Sequence, residues 1–534
     1  MRQFSSYGPV NNKLHYYAPR KELIDKAYTQ LIGGESAEGG HCLTVWAPRQ
    51  TGKSWLMQQI LLRLRGDARF DVLKINLEPL KYEKDAVKIM NKIAEKIGAG
   101  LDKTFSPIED PDQFQDNFKK GIIEKPLILI LDEFDSLAKE AINAIVSAFR
   151  NIYNTRLDEM DTPSEEKSYL LHGVALIGIH SAIGIDSDRG SPFNVQRGLH
   201  VPNLTYEEVE GMFKWYEKES GREVKTEVIE RLFAETHGQP GLTCWLGELL
   251  TTGFDDYSSD TARPIEAADF ETVYAAAADT LPNNNILNII NKATRENNKH
   301  FVLKMFQTGE KIRFRFDEPT IGALYMNGVI DKEKGEHNRY YVRFSCPFVQ
   351  KRLFNYFAAE IFSDMGQLVE SLTRTDNVIT PTRLNVRELL RLYQAYLDRN
   401  KSWLFKEAPR RSDQRVYEAV FHFNLYAYID RFLQDRDGVV FPEFPTGNGK
   451  IDLLIRYRKT IYGLELKSFS DFAAYRRALD KAAQYGEQLR LSEIYLVTFL
   501  EAVEEKKRQE YEAEYVDARS GVTVKPVFIQ TGAV

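Results

Sequence analysis

Eight residues constrain the first half of the chain more than any other feature. Ala47-Pro48-Arg49-Gln50-Thr51-Gly52-Lys53-Ser54 stand between the apolar run Leu43-Thr44-Val45-Trp46 and an amphipathic stretch from Trp55 to Leu64. A strand that passes through such a loop into a helix aims backbone N–H groups at one point, and a phosphate chain binds there. Gly52 lets the backbone approach the phosphates, Lys53 reaches the terminal ones and Ser54 offers its hydroxyl to magnesium. The first position is usually glycine and is Ala47 here, so the turn must accept a methyl group. The other half of the site is Leu127-Ile128-Leu129-Ile130-Leu131-Asp132-Glu133, a buried strand ending in two carboxylates. Asp132 is assigned to the metal and Glu133 to the attacking water. Asp135 reads as a turn or cap residue. The expected cofactors are ATP and Mg2+.

The surrounding pattern gives an α/β multidomain chain. At 534 residues it exceeds one ordinary core, and 28% charged with 43% apolar residues is a globular balance. Apolar strands at 41–46, 70–75, 126–131 and 173–179 alternate with helices, which predicts a mainly parallel sheet covered on both faces over residues 1–203. From Leu204 the pattern turns helical, with Thr205 and Glu208 forming a capping box, and residues 204–282 read as a helical lid. Residues 283–362 read as helices followed by a hairpin, with Ile321 to Met326 apolar, Gly328 a turn and Tyr340 to Phe344 the returning strand. That order suggests a winged helix. Lys304, Lys311, Arg313 and Arg315 are its candidate phosphate contacts, and Lys332, Lys334 and Arg339 line its wing. A helical connector, 363–411, leads past the basic cluster Lys406, Arg410, Arg411 and Arg415 into a last α/β domain, 412–534.

Net charge is −6, so no global basic field holds this chain on nucleic acid, and any DNA contact is local. Cys42, Cys244 and Cys346 are scattered and form neither a disulfide framework nor a CxxC spacing, so a reducing cytoplasm is expected. Met1 to Tyr7 is polar and the apolar runs are short, so neither an export signal nor a membrane partner is expected.

A second constellation lies near the C-terminus: Glu443-Phe444-Pro445-Thr446-Gly447-Asn448-Gly449-Lys450-Ile451-Asp452, then Gly463-Leu464-Glu465-Leu466-Lys467. Residues two apart share a strand face, so Glu465 and Lys467 point one way while Leu464 and Leu466 point into the core. If the two strands pair as a hairpin, Asp452 and Glu465 converge on one divalent ion with Lys467 beside it. Phosphodiester hydrolysis needs this set: carboxylates for a hard cation, the cation to activate water, and a lysine for the nucleophile or the transition state. The bland reading is a surface hairpin with incidental charges.

Two families are resembled. The first half is similar to AAA-like and STAND-like ATPases of bacteria and archaea, related to origin-recognition AAA+ proteins. Tyr16-Tyr17-Ala18-Pro19-Arg20-Lys21-Glu22-Leu23, Pro48 to Ser54, Leu131-Asp132-Glu133-Phe134-Asp135 and Gly238-Gln239-Pro240-Gly241-Leu242 carry the likeness. It implies an adenine pocket near Tyr17 and Arg20, a sensor near His180 and Ser181, and a lid element at His237 to Leu242. Arg189 or Arg197 would be a finger reaching a neighbour's nucleotide in a homo-oligomer. A solvated loop arginine and a buried structural histidine are the competing readings for those positions.

The last 120 or so residues resemble the PD-(D/E)XK nuclease superfamily of restriction-endonuclease-like domains. This resemblance implies Glu418 as a further acidic ligand on the preceding helix, and Gln484 on the following one. The Gln-x-x-x-Tyr pattern of RecB-like members is not met, since Gln488 follows Gln484 at that spacing. Together the two imply an ATPase controlling a magnesium-dependent DNA endonuclease, in defence or mobile-element biology. The alternative is a signalling or scaffold ATPase whose C-terminal domain only binds a partner or nucleic acid.

Overall fold

The computed structural model describes residues 1–8, 10–33, 40–178, 196–254, 263–306, 311–370, 375–410, 416–445, 450–469 and 471–532. The chain divides into two compact units, Met1–Ala277 with Tyr325–Gly328, and Ala278–Leu324 with Val329–Val534. No described helix is long and apolar enough to cross a membrane.

In the first unit, β1 (His41–Trp46), β2 (Asp71–Asn76), β3 (Leu127–Asp132), β4 (Leu171–Gly178) and β5 (Gln196–His200) form a parallel sheet in the order β2-β3-β4-β1-β5. Strand β3 shows why its sequence is apolar without alternation. Leu127, Leu129 and Leu131 enter one core with Ile89, Ile93 and Ile145, while Ile128 and Ile130 enter the other with Leu56, Ile60 and Leu64. A strand covered on both faces has no polar side to declare itself. Each such side chain contributes ~1.5–3 kcal/mol by leaving water. Strand β5 escaped the sequence pattern because it is a short edge strand in which Leu199 is buried beside exposed Arg197, Gly198 and His200. All five strands run the same way, so the loop after β1 and the carboxylates ending β3 share one edge of the sheet.

Helices Tyr206–Ser220, Thr226–Thr236, Pro240–Thr252 and Ala267–Asp279 follow. The capping box forms as expected: the Glu208 N–H donates to Thr205 Oγ1 at 3.3 Å, and the Thr205 N–H donates to Glu208 Oε2 at 2.9 Å.

In the second unit, helices Asn284–Ala293, Glu296–Phe306 and Pro319–Met326 precede the antiparallel hairpin of β6 (Ile330–Lys334) and β7 (Tyr340–Phe344). The expected course of the hairpin needs correcting, although Gly328 does lie in a turn. Ile321 to Met326 is helical, and Gly328, at φ 75°, stands before β6, so the hairpin reverses across Gly335–Arg339 instead. Helices Pro347–Ile361, Val386–Leu404 and Glu418–Leu433 lead to β8 (Gly438–Pro445), β9 (Lys450–Tyr457), β10 (Thr460–Ser468), β11 (Glu493–Leu500), β12 (Tyr515–Val516) and β13 (Thr523–Gln530). These form one mixed sheet in the order β12-β13-β11-β10-β9-β8, with the helix Phe472–Gln488 crossing between the parallel pair β10 and β11. Strands β8, β12 and β13 were not foreseen. Pro526 inside β13 argues against a strand on sequence grounds, yet it lies in register with Leu496.

Candidate functional site

The loop Ala47 to Ser54 joins β1 to the helix Lys53–Leu64. Gly52 caps the helix Lys53–Leu64 at φ 88°, and Gln50 is also left-handed at φ 57°. Thr51 Oγ1 donates to the Pro48 carbonyl at 2.8 Å, closing the turn. Ala47 is fully buried, and its methyl group belongs to the core around Leu43 and Leu56, so the departure from glycine adds packing without left-handed strain. Lys53 Nζ donates to the Ala47 and Pro48 carbonyls, both at 2.8 Å. Burial pushes its pKa down to about 8, against the opposing pull of Glu133, Asp135 and Asp132. A cation held back by desolvation gains most from an incoming polyanion.

Opposite this loop, Asp132 ends β3 with one oxygen, Oδ2, 2.8 Å from Lys74 Nζ, while Oδ1 accepts the Glu133 N–H at 3.2 Å. Glu133 holds φ 56°, a conformation costing of order 1–3 kcal/mol that clusters at functional sites. Burial raises its pKa, with Asp135 and Asp132 adding to the effect. Asp135 sits in the short 3-10 turn Phe134–Ser136. The Ser54 hydroxyl and the Asp132 carboxylate are hard oxygen donors of the kind magnesium takes, so the donor chemistry fits the ion.

Tyr17, Arg20, Thr51, Gly52, Trp55 and Pro240 line a cleft beside the loop. Tyr17 meets the Trp55 ring edge-on, with centroids 4.7 Å apart. Arg20 Nη1 donates to the Pro202 carbonyl at 2.7 Å, and Nε lies 3.3 Å from Glu208. Its buried Nη2 makes no hydrogen bond with the described residues. The segment His237 to Leu242 reaches the loop: Gln239 Nε2 donates to the Arg49 carbonyl at 3.3 Å and the Gly241 N–H to the Gln50 carbonyl at 3.0 Å. Close approach favours glycine at 241, because a Cβ there would stand 2.7 Å from Gln50 Cβ. Arg197 is exposed on β5, whereas His180, Ser181 and Arg189 lie outside the described residues.

Residues 36–162, which carry the loop and both β3 carboxylates, match the AAA domain family. The chain contains an AAA-type P-loop domain. No curated protein matches it. Solved structures similar to it include the Walker-type ATPase of Pyrococcus abyssi, at 14% identity over 66% of this chain and 99% of that one, with a TM-score of 0.40. Cdc6p from Pyrobaculum aerophilum shares 14% identity over 67% of this chain and 97% of that one, at a TM-score of 0.35. The Aeropyrum pernix ORC1 protein, solved in complex with DNA, shares 14% identity over 65% of this chain and 94% of that one, at a TM-score of 0.32.

Outside the AAA domain, β9 and β10 pair antiparallel, with Leu453 opposite Leu464. This register brings Asp452, Glu465 and Lys467 together. The Leu466 N–H donates to Asp452 Oδ2 at 2.7 Å; Lys467 Nζ lies 2.7 Å from Glu465 Oε1 and 3.5 Å from Asp452 Oδ2. One expectation changes: Glu465 is itself buried, at 1% exposure, because β10 is an inner strand covered on both faces. Its Oε2 finds no hydrogen-bond partner among the described residues. Burial raises the Glu465 pKa, Asp452 raises it further, and Lys467 and Lys481 oppose. Burial alone would lower Lys467, but Asp452 and Glu465 outweigh it and hold the ammonium charged. A buried carboxylate oxygen without a donor, beside a second carboxylate and an ammonium, fits a divalent cation.

Lys481 was missed by sequence reasoning. It lies on the helix Phe472–Gln488, and its Nζ is 3.6 Å from Glu465 Oε1. Gln484, the residue singled out on that helix, is exposed. The usable signal was helical spacing, since Lys481 and Tyr485 share one face and the ammonium lies 5.1 Å from the Tyr485 ring centroid. Glu418 opens its helix, but its side chain and the loop 446–449 lie outside the described residues. Among the described residues no three His, Cys, Asp or Glu side chains cluster as a metal site. On the hairpin of the second unit, Lys332 approaches the Tyr340 ring at 5.6 Å and the Phe314 ring at 6.0 Å. Lys304, Lys311, Arg313, Arg315, Lys334 and Arg339 are exposed.

Proposed function

We propose that this chain hydrolyses ATP in its AAA domain and uses nucleotide state to control a magnesium-dependent DNA endonuclease in residues 412–534. The observation that carries the nuclease reading is the buried Glu465 carboxylate, its Oε2 without a hydrogen-bond partner among the described residues, next to Asp452 and Lys467. Asp452 and Glu465 would hold the ion, with Glu418 as a further ligand in this reading. A bound divalent ion supplies an activated water and offsets phosphate charge. Lys467, kept charged by its two carboxylates, orients that water or contacts the scissile phosphate. Residues 204–282 serve as lid, 283–362 as a winged helix and 363–411 as connector. The exposed lysines and arginines of the winged helix, with Phe314 and Tyr340 among them, suit phosphate contacts on DNA.

In the AAA domain, Lys53 binds the terminal phosphates, Ser54 and Asp132 hold magnesium, Glu133 polarises the water, and Tyr17 and Arg20 receive the base. The remaining loop residues, Ala47 to Gly52, cradle the phosphates through their backbone. In a homo-oligomer, Arg189 or Arg197 would be the residue that reaches a neighbouring nucleotide. Plasmid and linear DNA are the substrates for the test, with magnesium or manganese, comparing wild type with Asp452→Ala and Lys467→Ala. Metal-dependent cutting by wild type, lost in both variants, is expected. No cutting under any nucleotide condition would leave the signalling or scaffold reading in its place.

A further inference from the structure

A lysine outside the phosphate loop holds the carboxylate assigned to magnesium. Lys74 lies on β2, where parallel pairing sets it opposite Ile130 and sets Asn76 opposite Asp132. From that position its long stem carries Nζ to 2.8 Å from Asp132 Oδ2. Both side chains are partly shielded from solvent: Lys74 is 20% exposed and Asp132 9%. The other oxygen, Oδ1, already accepts the Glu133 N–H. Asp132 also acts on Lys53, so the carboxylate lies within the field of the phosphate loop.

We propose that Lys74 is a positioning residue for Asp132 that sets how tightly the nucleotide site takes its divalent ion. The inference rests on the ATP reading of the loop. One fixed ammonium on Oδ2 does two things: it aims the carboxylate, and it offsets the negative charge that attracts magnesium. Magnesium therefore loads against a resident cation, and free-ion concentration becomes a control on nucleotide affinity. Removing the ammonium deepens the negative potential at the site and tightens ion binding.

The test uses the full chain, a fluorescent N-methylanthraniloyl ATP, and a magnesium series starting from chelated buffer. The readout is the magnesium concentration at half-maximal tightening of nucleotide binding. Lys74→Gln keeps a donor for Asp132 without the charge, and the midpoint should fall about threefold to tenfold, the scale of one screened charge contact. Lys74→Met, which keeps the apolar stem, should move it the same way, and Lys74→Arg should restore the wild-type midpoint. Asp132→Asn should abolish the magnesium dependence, and adding Lys74→Gln to it should change nothing more. An unchanged or raised midpoint in either folded charge-removing variant would overturn the proposal. Absence of Lys53-dependent binding in wild type would sink the nucleotide reading and Lys74 with it, whereas an unchanged midpoint on top of such binding sinks Lys74 alone.

Discussion

Lys53 spends two hydrogen bonds on carbonyls of its own loop, and burial holds its pKa near 8. In the proposed function, phosphate oxygens would replace those carbonyls with charge-assisted contacts, each worth ~1.5–3 kcal/mol. Lys53→Ala should therefore weaken ATP binding by about tenfold to a hundredfold or more, measured by nucleotide fluorescence. Glu133→Gln should bind ATP normally and lose hydrolysis by roughly 10²–10⁴-fold in a phosphate-release assay. Turnover surviving in Lys53→Ala would mean the site is elsewhere.

His172 gives a pH prediction away from both sites. It donates through Nε2 to the Ile32 carbonyl at 2.9 Å, and its Nδ1 accepts from Ser164 Oγ at 2.8 Å. Burial, with the neighbouring His41, lowers its pKa from 6.5 to about 3. The unfolded chain thus binds a proton that the folded chain refuses, and stability falls as pH drops below about 6.5 toward 3. Urea midpoints at about pH 7 and about pH 5 should differ less in His172→Gln than in wild type. An equal pH dependence in the variant would show that His172 does not carry this window.

At the scale of the element, β3 lies within one residue of the expected strand and is buried along its whole length. Leu129 is fully buried in the core that contains Ile93 and Ile145. Leu129→Ala should lower unfolding free energy by about 2–5 kcal/mol, read from chemical denaturation, through lost transfer energy and the cavity left behind. A loss below about 1 kcal/mol would mean that the surrounding helices close the gap. Strand β10 shows the limit of face-alternation arguments. Glu465 was expected on a face opposite the core, yet β9 and β11 flank its strand and helix Phe472–Gln488 supplies Lys481 beside it. A period of two assigns side chains to faces, but it does not say whether the polar face is covered.

For the whole molecule, ligand linkage offers a test that needs no activity. Nucleotide binding to the folded state alone raises stability by ~2.7 kcal/mol at a hundred times the dissociation constant. Calorimetry of the full chain should show an unfolding transition that moves up with ATP and magnesium in wild type. The same transition should stand still in Lys53→Ala. A shift retained in that variant would place the ligand outside the phosphate loop.

Several features were legible from the residues alone. The strand-loop-helix around Lys53, the carboxylate pair at Asp132 and Glu133, the Thr205 capping box and the parallel sheet each depend on local spacing and on apolar runs. Such features are encoded by neighbours in the chain. The edge strand β5, the strand β13 with its internal proline, the ion pair between Lys74 and Asp132, and the approach of Lys481 to Glu465 were not legible. Each joins residues whose proximity comes from strand order and register, and their spacing in the chain carries no trace of it. Burial of Glu465 belongs with them, since it depends on which elements cover a strand's second face, a question only the folded chain answers.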